Sequence, residues 1–342
     1  MSGKTDFDET AFRKIYIEWE RCAFLDELSF DILIPIIFVK FDFDFLELND
    51  DVFLVKMPEE IQLARMESNS YGRSSAEELV TGCATHVLVF RYWVLSNTSW
   101  FQRANIFGSI ETFSTVIEKV NNFFAALRVV TGIETGYSQL VIYPDNWGDR
   151  WKAHLPYVKV VSTRAYPDHF EDGGWRNDPS ILSEQQCRDA FDIFTAVNES
   201  KSNKLTLACK RLNMAHLRRT EEDAILDITI ALEALLADDS HGEITYRLAM
   251  RLGALGRIEP FEGHTPTEVV EMCKRIYAYR SSVVHGSHNV DKKRIIPVKS
   301  SPEPIPAVTL GLSLLRYAIK VLSQHLDLLQ TKNLDEFLLA AQ

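Results

Sequence analysis

The most informative stretch of this chain reads Arg280-Ser281-Ser282-Val283-Val284-His285-Gly286. Before it, apolar residues recur at the three- and four-residue steps that mark one face of a helix: Val269, Met272, Cys273 and Ile276. Arg280 continues this face, four residues after Ile276. Because a guanidinium on a core-facing stripe is costly without a partner, Arg280 is a candidate functional residue.

The end of the same predicted helix carries a second candidate. His285 falls in the last turn, and Gly286 stands where a glycine commonly follows a helix. The C-terminal end of a helix dipole favours a protonated imidazole, and imidazole titrates close to physiological pH. We therefore predict that Arg280 and His285 form a site for a phosphodiester.

Length and composition describe an ordinary globular protein. The chain has 342 residues, with 46% hydrophobic and 25% charged residues, and this length favours two domains. The longest apolar run, 32–39, is too short to span a bilayer, so we expect no membrane partner. The N-terminus lacks the apolar core of a secretory signal. Five scattered cysteines indicate free thiols in a reducing, cytoplasmic environment and argue against a zinc site.

Charge is unevenly distributed along the chain. Residues 1–182 contain 17 Lys and Arg against 27 Asp and Glu, whereas residues 183–342 contain 20 against 21. The acidic first part excludes a non-specific nucleic-acid binder. The second part has local basic clusters compatible with one RNA segment, although each cluster is also compatible with a solvated helix face: Lys210-Arg211, Arg218-Arg219, Lys274-Arg275 and Lys292-Lys293-Arg294.

The first part of the chain predicts a mixed α+β domain over residues 1–165. Helices are expected near 7–28, after Pro58 and over 109–130. Strands are expected where β-branched and alternating residues occur, over 32–45, 52–57, 85–95, 137–143 and 157–162. Two prolines and two adjacent glycines favour a linker over residues 166–182.

The second part, residues 183–342, predicts an all-α domain. Helices are expected over 183–198, 204–219, 224–236, 243–255, 266–285 and 308–329, with a long proline-rich loop over 287–306. Thr220 is expected to cap the third of them. That helix is apolar nearly all round, so it should be central.

Three segments of this part resemble the ApeA-like branch of the HEPN superfamily. They are RRTEEDAILDITIALEALL at 218–236, EITYRLAMR at 243–251 and IYAYRSSVVHG at 276–286. The resemblance covers about 183–330, and its R-x4-6-H motif falls on Arg280 and His285. It implies an α-helical bundle that forms a homodimer with the motif at the interface. It also implies metal-independent endoribonuclease activity without a cofactor, in antiphage defence, abortive infection or toxin-like RNA cleavage.

Helix geometry agrees with a site shared by two protomers. Five residues turn an ideal helix by about 500°, so Arg280 and His285 lie about 140° apart. Two motifs related by a two-fold axis remove this difficulty. The ribose 2′-OH would attack the phosphate to leave a 2′,3′-cyclic phosphate, with His285 transferring protons and Arg280 binding phosphoryl oxygens.

Supporting residues are expected around Arg280. Glu233 lies in an otherwise apolar helix and needs a partner, for which Arg280, Arg247 and Arg251 are the candidates. This ion pair either fixes the bundle or orients Arg280. Tyr277 and Tyr279 have the spacing of packing residues, with stacking on RNA bases as the alternative.

Three further observations limit the functional reading. Ser281 follows the motif arginine, where active family members often carry Asn, Asp or His, so a catalytically inactive binding or dimerisation module is the alternative function. Ser287 replaces the tyrosine of toxins controlled by nucleotidyltransferase antitoxins. His285 and His288 lack a third ligand, so no metal site is expected. A protein trigger or partner is expected at the N-terminal domain.

Overall fold

The computed structural model describes residues 7–70, 78–99, 110–149, 155–172, 179–200, 202–238, 243–286, 290–298 and 303–340. The chain divides into two compact units. One comprises residues 1–117 and 135–184, and the other comprises residues 118–134 and 185–342. The fold is mixed α+β, with the sheet in the first unit and helices in the C-terminal part, as the sequence predicts.

The N-terminal unit is built on an antiparallel sheet of six strands. Its helices and strands are α1 Glu9–Phe24, β1 Glu27–Ile36, β2 Val39–Phe41, β3 Phe45–Asn49, β4 Val52–Lys56, α2 Glu59–Ser70, α3 Glu78–Gly82, β5 His86–Ser96, β6 Tyr137–Pro144, β7 Lys159–Ala165 and β8 Ser180–Leu182. Helix α4, Ile110–Thr131, contributes its residues up to 117 to this unit. The sheet order is β3-β4-β5-β1-β6-β7.

The central strand β1 explains why the sheet forms around it. Residues 32–36 are buried on both faces, and the strand pairs with β5 on one side and β6 on the other. Such a strand needs a continuous apolar sequence rather than an alternating one, which the run Ile32-Leu33-Ile34-Pro35-Ile36 provides.

The segment that we predicted to be a linker, 166–182, is part of the N-terminal unit instead. Tyr166 and Phe170 belong to a core cluster with Ile37 and Phe38, and the rings of Phe38 and Phe170 stack at 3.8 Å. Strand β8 pairs with β2 in parallel. Pro167 is followed by a short 3₁₀ helix, Asp168–Asp172, and the two adjacent glycines lie outside the described residues. The composition predicted a linker because it did not reveal the aromatic anchors Tyr166 and Phe170.

The C-terminal unit is helical. Its elements are residues 118–131 of α4, then α5 Glu184–Glu199, α6 Asn203–Leu217, α7 Glu221–Leu236, α8 Ile244–Leu255, α9 Pro266–Val284, α10 Val290–Lys293, β9 Ile295–Ile296, β10 Ile305–Pro306, α11 Ala307–Gln324 and α12 Thr331–Leu339. Helices α10 and α12 and the strands β9 and β10 were not predicted. The polar sequence around α10 and its four-residue length give no periodic signal.

Helix α7 is the centre of this unit, as predicted. Thr220 caps it by accepting a hydrogen bond from the Asp223 backbone at 3.2 Å. The helix packs against α6, α8, α9 and α11. None of the helices in the described ranges is both long and apolar enough to cross a bilayer.

One charged side chain is buried within the α6–α7 pair. The Asp227 carboxylate is 2% exposed and accepts from Arg211 Nη1 at 2.7 Å and from Arg218 Nε at 2.7 Å. Each oxygen therefore meets a different guanidinium, one from within α6 and one from its C-cap residue Arg218. The segment around Arg218 that looked like a basic surface cluster joins α6 to α7.

We expect Asp227→Asn to lower the free energy of unfolding by about 2 kcal/mol, because it leaves two guanidinium groups facing a buried neutral amide. Chemical denaturation measures this loss. The matched control is Glu271→Gln, which removes the exposed Lys274–Glu271 pair and should cost less than about 0.5 kcal/mol. Equal effects of the two substitutions would contradict the assignment.

Candidate active site

Helix α9 carries Arg280, and its beginning is fixed by a capping box. The Thr265 hydroxyl accepts from the Glu268 backbone at 3.3 Å, and the Glu268 carboxylate accepts from the Thr265 backbone at 2.9 Å. Pro266 occupies the first turn. These contacts satisfy backbone donors that the first turn leaves free, so the register of α9 is set from its N-terminus.

Helix α8 approaches α9 at Gly253. A Cβ at this position would lie 2.6 Å from Val270 Cγ2 and 2.9 Å from the Pro266 carbonyl oxygen. Only a residue without a side chain permits this approach. Gly253 therefore fixes the distance between α8 and the helix that carries the candidate site.

The other end of α9 places His285. This residue is the C-cap, its backbone donates to the Ser281 carbonyl at 3.1 Å, and its side chain is exposed. Gly286 follows with φ +59°, the left-handed conformation that ends many helices. The predicted end of the helix is thus confirmed, and the imidazole reaches solvent beside the helix C-terminus.

Arg280 lies half-buried on α9, and its charge is not neutralised by a neighbouring carboxylate. Its Nε is buried without a hydrogen-bond partner, and it forms no ion pair within the described part of the chain. The prediction that Glu233 pairs with Arg280 is therefore wrong. The Nε of Arg211, which binds Asp227, is buried without a partner in the same way, so the functional assignment of Arg280 rests on its missing ion pair and not on this atom.

Tyr277 is near enough to both Glu233 and Arg280 for their charges to act on its phenol. It is buried, and its hydroxyl donates to the Thr229 carbonyl on α7 at 3.3 Å. Burial first, and then the negative charge of Glu233, raise the pKa of Tyr277 well above its usual value, whereas the positive charge of Arg280 opposes this. Glu233 and Arg280 thus both act on the phenol of Tyr277.

Arg247 and Arg251 also do not pair with Glu233. Arg251 is 3% exposed and binds the Asp335 carboxylate with Nε and Nη2, both at 2.7 Å. Its Nη2 also binds Asp238 at 2.7 Å, and Arg247 reaches the same carboxylate at 2.9 Å. The two arginines therefore connect α8 to the segment after α7 and to α12, which places them outside the site.

The remaining predicted residues separate into surface and core. Ser281 is exposed, next to Arg280. Tyr277 and Tyr279 are both buried, so the alternative that they stack on RNA bases is wrong and packing is their role.

His288 lies outside the described residues. Within the described ranges, no group of three or more His, Cys, Asp and Glu is arranged to bind a metal.

Most of the basic clusters are occupied by ion pairs. Arg211 and Arg218 bind Asp227, Lys274 binds Glu271, and Arg294 binds Glu221 at 2.6 Å. Lys292 and Lys293 are exposed on α10, which packs on α9, and Lys293 donates to the Ala278 carbonyl at 3.3 Å. Within the described chain, the basic side chains of the α9–α10 pair that form no ion pair are therefore Arg275, Arg280, Lys292 and Lys293.

Two features of the C-terminal unit were missed at the sequence level. A cavity of about 570 Å³ is lined by residues of α4, α5 and α11 and includes none of the predicted site residues: Val130, Asp189, Asp192, Ile193, Lys320, Ser323 and Gln324. His216, in the last turn of α6, is the other. Burial, followed by the charges of Arg128 and Arg316, lowers the pKa of His216 to about 3. The cavity and the lowered pKa of His216 both depend on contacts between segments that are distant in the sequence, so a local sequence pattern could not predict them.

Comparisons with known proteins return no relative: no family model, no curated protein and no solved structure matches this chain.

The pKa of His216 predicts acid sensitivity. An unfolded histidine titrates near pH 6.5, whereas the folded one stays neutral down to about pH 3. Between these values the unfolded state binds the extra proton, so stability falls as pH decreases, by on the order of 1 kcal/mol per pH unit.

His216→Gln should remove this contribution, and denaturation at a series of pH values from neutral to acid measures it. The difference in unfolding free energy between variant and wild type should shift in favour of the variant as pH falls. A difference that stays constant over this range would show that folding does not lower the pKa of His216.

Proposed function

We propose that this protein is a metal-independent endoribonuclease of HEPN type, acting as a homodimer in microbial antiphage defence or toxin-like RNA cleavage. The observation that carries the proposal is the guanidinium of Arg280, which is half-buried, lacks an ion-pair partner in the described chain and shares the end of α9 with an exposed His285. The resemblance of three segments to the ApeA-like branch supplies the family context.

The electrostatics around Arg280 favour an anionic ligand. Glu233 is near enough to act on Tyr277, but it does not form an ion pair with Arg280 within the described residues. A planar guanidinium binds two phosphoryl oxygens through parallel hydrogen bonds, and no carboxylate within the described chain occupies the guanidinium of Arg280. A phosphodiester would supply the compensating charge.

A second protomer completes the proposed site. On one helix the two motif residues diverge by about 140°, so the two-fold axis of a dimer is needed to bring paired motifs onto one phosphate. Val284 is 49% exposed directly before His285, which offers an apolar contact at the same place. The proposed dimer therefore has its axis at the C-terminal end of α9.

The chemistry requires only two proton transfers and charge stabilisation. The imidazole of one His285 takes the proton of the ribose 2′-OH as the 2′-oxygen bonds to phosphorus. The bond from phosphorus to the 5′-oxygen breaks, and the second His285 donates a proton to that oxygen. Arg280 stabilises the charge on the non-bridging oxygens. The products are a 2′,3′-cyclic phosphate and a 5′-hydroxyl.

The proposal assigns the N-terminal unit to recognition of a trigger or partner. The functional residues proposed for RNA cleavage all lie in the C-terminal unit, while the first 182 residues carry a net charge of −10. This charge disfavours RNA binding by the N-terminal unit, which is therefore free to bind a protein.

We expect Arg280→Ala and His285→Ala to reduce RNA cleavage in EDTA by at least about 100-fold, because each removes one transition-state interaction. Cleavage of a labelled RNA mixture and growth arrest on expression measure it. Arg275→Ala, an exposed arginine on the same helix, is the matched control and should keep full activity. Folding of all three variants is checked by thermal unfolding.

Two results would separate this proposal from its alternative. Activity retained by Arg280→Ala with unchanged folding removes the basis of the mechanism. RNA binding by the wild type without cleavage, lost in Arg280→Ala and kept in Arg275→Ala, indicates a catalytically inactive binding module.

The nucleophile gives a further test. An RNA with a single 2′-deoxy nucleotide on the 5′ side of the cleavage point should resist cleavage at that bond only, since the attacking hydroxyl is missing. Mass spectrometry of the products from unmodified RNA should show 2′,3′-cyclic phosphate ends. Products ending in a 3′-hydroxyl would refute attack by the 2′-OH.

A further inference from the structure

Helix α1 carries an exposed row of aromatic side chains. The rings of five residues follow one another with centroid separations of 5.3, 6.2, 6.1 and 6.5 Å, and we call them the aromatic ridge: Phe7, Phe12, Tyr16, Trp19 and Phe24. Their exposed fractions range from 45% for Trp19 to 75% for Phe24. Contiguous apolar surface of this kind marks an interaction site.

The helix is attached to its own unit by a different side. Cys22 is its buried residue, and the Asn97 side chain donates to the carbonyls of Cys22 and Leu25 at 3.0 and 2.6 Å. The Gly148 backbone donates to the Glu18 carbonyl at 3.2 Å. These contacts hold α1 in place and leave Phe12, Tyr16 and Trp19 facing outward.

We propose that the aromatic ridge is an interface with a second copy of this chain, in which two α1 helices pack antiparallel about a two-fold axis near Tyr16. This inference rests on α1 alone and does not depend on the proposed nuclease activity. Phe12, Tyr16 and Trp19 follow one another at steps of four and three residues, which is the seam that a helix presents to another helix.

Charge complementarity specifies the antiparallel copy. Arg13 follows Phe12 and Glu20 follows Trp19, so both flank the same side of the seam, seven residues apart. In an antiparallel symmetric pair, this flank of one helix packs beside the same flank of the second helix. Arg13 of each copy then lies opposite Glu20 of the other. Glu20 makes no ion pair within the described chain, and Arg13 makes only an exposed pair with Glu9.

The available area is sufficient for a stable contact. An aromatic side chain can bury about 150–250 Å². With roughly half to three-quarters of each ring exposed, one ridge offers on the order of 600 Å², and two offer on the order of 1,200 Å². This reaches the size of a specific protein interface.

The charges of α1 favour this occupant over a membrane surface. Residues 9–24 contain three acidic residues, Glu9, Glu18 and Glu20, and three basic residues, Arg13, Lys14 and Arg21. Helices that bind membranes use an excess of basic residues to attract anionic lipids, and α1 has none. A neutral helix with opposite charges on one flank is suited to pairing with itself.

Charge reversal on the full chain tests the pairing. Arg13→Glu and Glu20→Arg should each weaken self-association about tenfold or more. Each substitution turns both Arg13–Glu20 contacts of the pair into repulsion between like charges. The double variant Arg13→Glu with Glu20→Arg should restore it. Lys14→Glu changes charge equally but lies on the side of α1 away from the seam, so it should have no effect.

Sedimentation velocity over a micromolar concentration series measures the mass of each variant. The proposed α9 contact is untouched by these changes, so the expected result is a lower mass than that of Lys14→Glu: a monomer where α1 is the only contact between copies, and a dimer where the α9 contact also forms. Trp19→Ser should give the same loss without affecting thermal unfolding. RNA cleavage is not the readout, so an inactive protein still tests this interface.

Three results would overturn the proposal. The first is a wild-type mass equal to that of Trp19→Ser. The second is failure of the double reversal to restore the mass. The third is binding of the wild type to vesicles of neutral and anionic lipids together with unchanged mass in all α1 variants, which would assign the ridge to a membrane surface.

Discussion

The C-terminal unit depends on one constraint, which is that α7 is apolar nearly all round and has to be enclosed on every side. Helices α6, α8, α9 and α11 enclose it. Because Asp227 is the charged group carried inside this packing, it is satisfied by two guanidinium groups at once. The position of α9, and with it the positions of Arg280 and His285, follows from covering one side of α7, where Tyr277 binds the Thr229 carbonyl.

Arg251 is an example of a buried arginine with a structural role in this unit, because its guanidinium is bound by acceptors from several segments. Arg251 has five donors and meets two carboxylates and one carbonyl. Arg280 is different, since it is also partly enclosed and yet no carboxylate binds it within the described chain. An arginine that served only to connect helices would gain stability from a carboxylate at this position. The absence of a carboxylate alone does not mark a binding arginine, because the buried Arg65 has none and binds Gln62, Gln139 and the Thr81 carbonyl instead. Arg280 differs from Arg65 in having no side-chain hydrogen bond within the described chain.

Local sequence patterns predicted most helices and strands, but they did not predict which side chains contact each other across them. The three- and four-residue steps from Val269 to Ile276 gave the buried face of α9, and Gly286 gave its end. Patterns could not predict which carboxylate each arginine meets, because Asp335 and Arg251 are far apart in the chain. The same reason explains the linker: Tyr166 and Phe170 look like loop residues until Ile37 and Phe38 are brought beside them. Helix α10 was missed because its four residues, Val290–Lys293, are too few to show a helical period.

The arrangement of Glu233, Tyr277 and Arg280 connects packing to chemistry. A carboxylate in direct contact with Arg280 would neutralise it and compete with a phosphate for its donors. A carboxylate absent altogether would leave a partly buried cation with no opposing charge, which is costly to the folded state. Glu233 acts on the buried phenol of Tyr277, so its negative charge is near, but it forms no ion pair with Arg280 within the described chain. Glu233 is tolerated on α7 because its side chain is only partly buried.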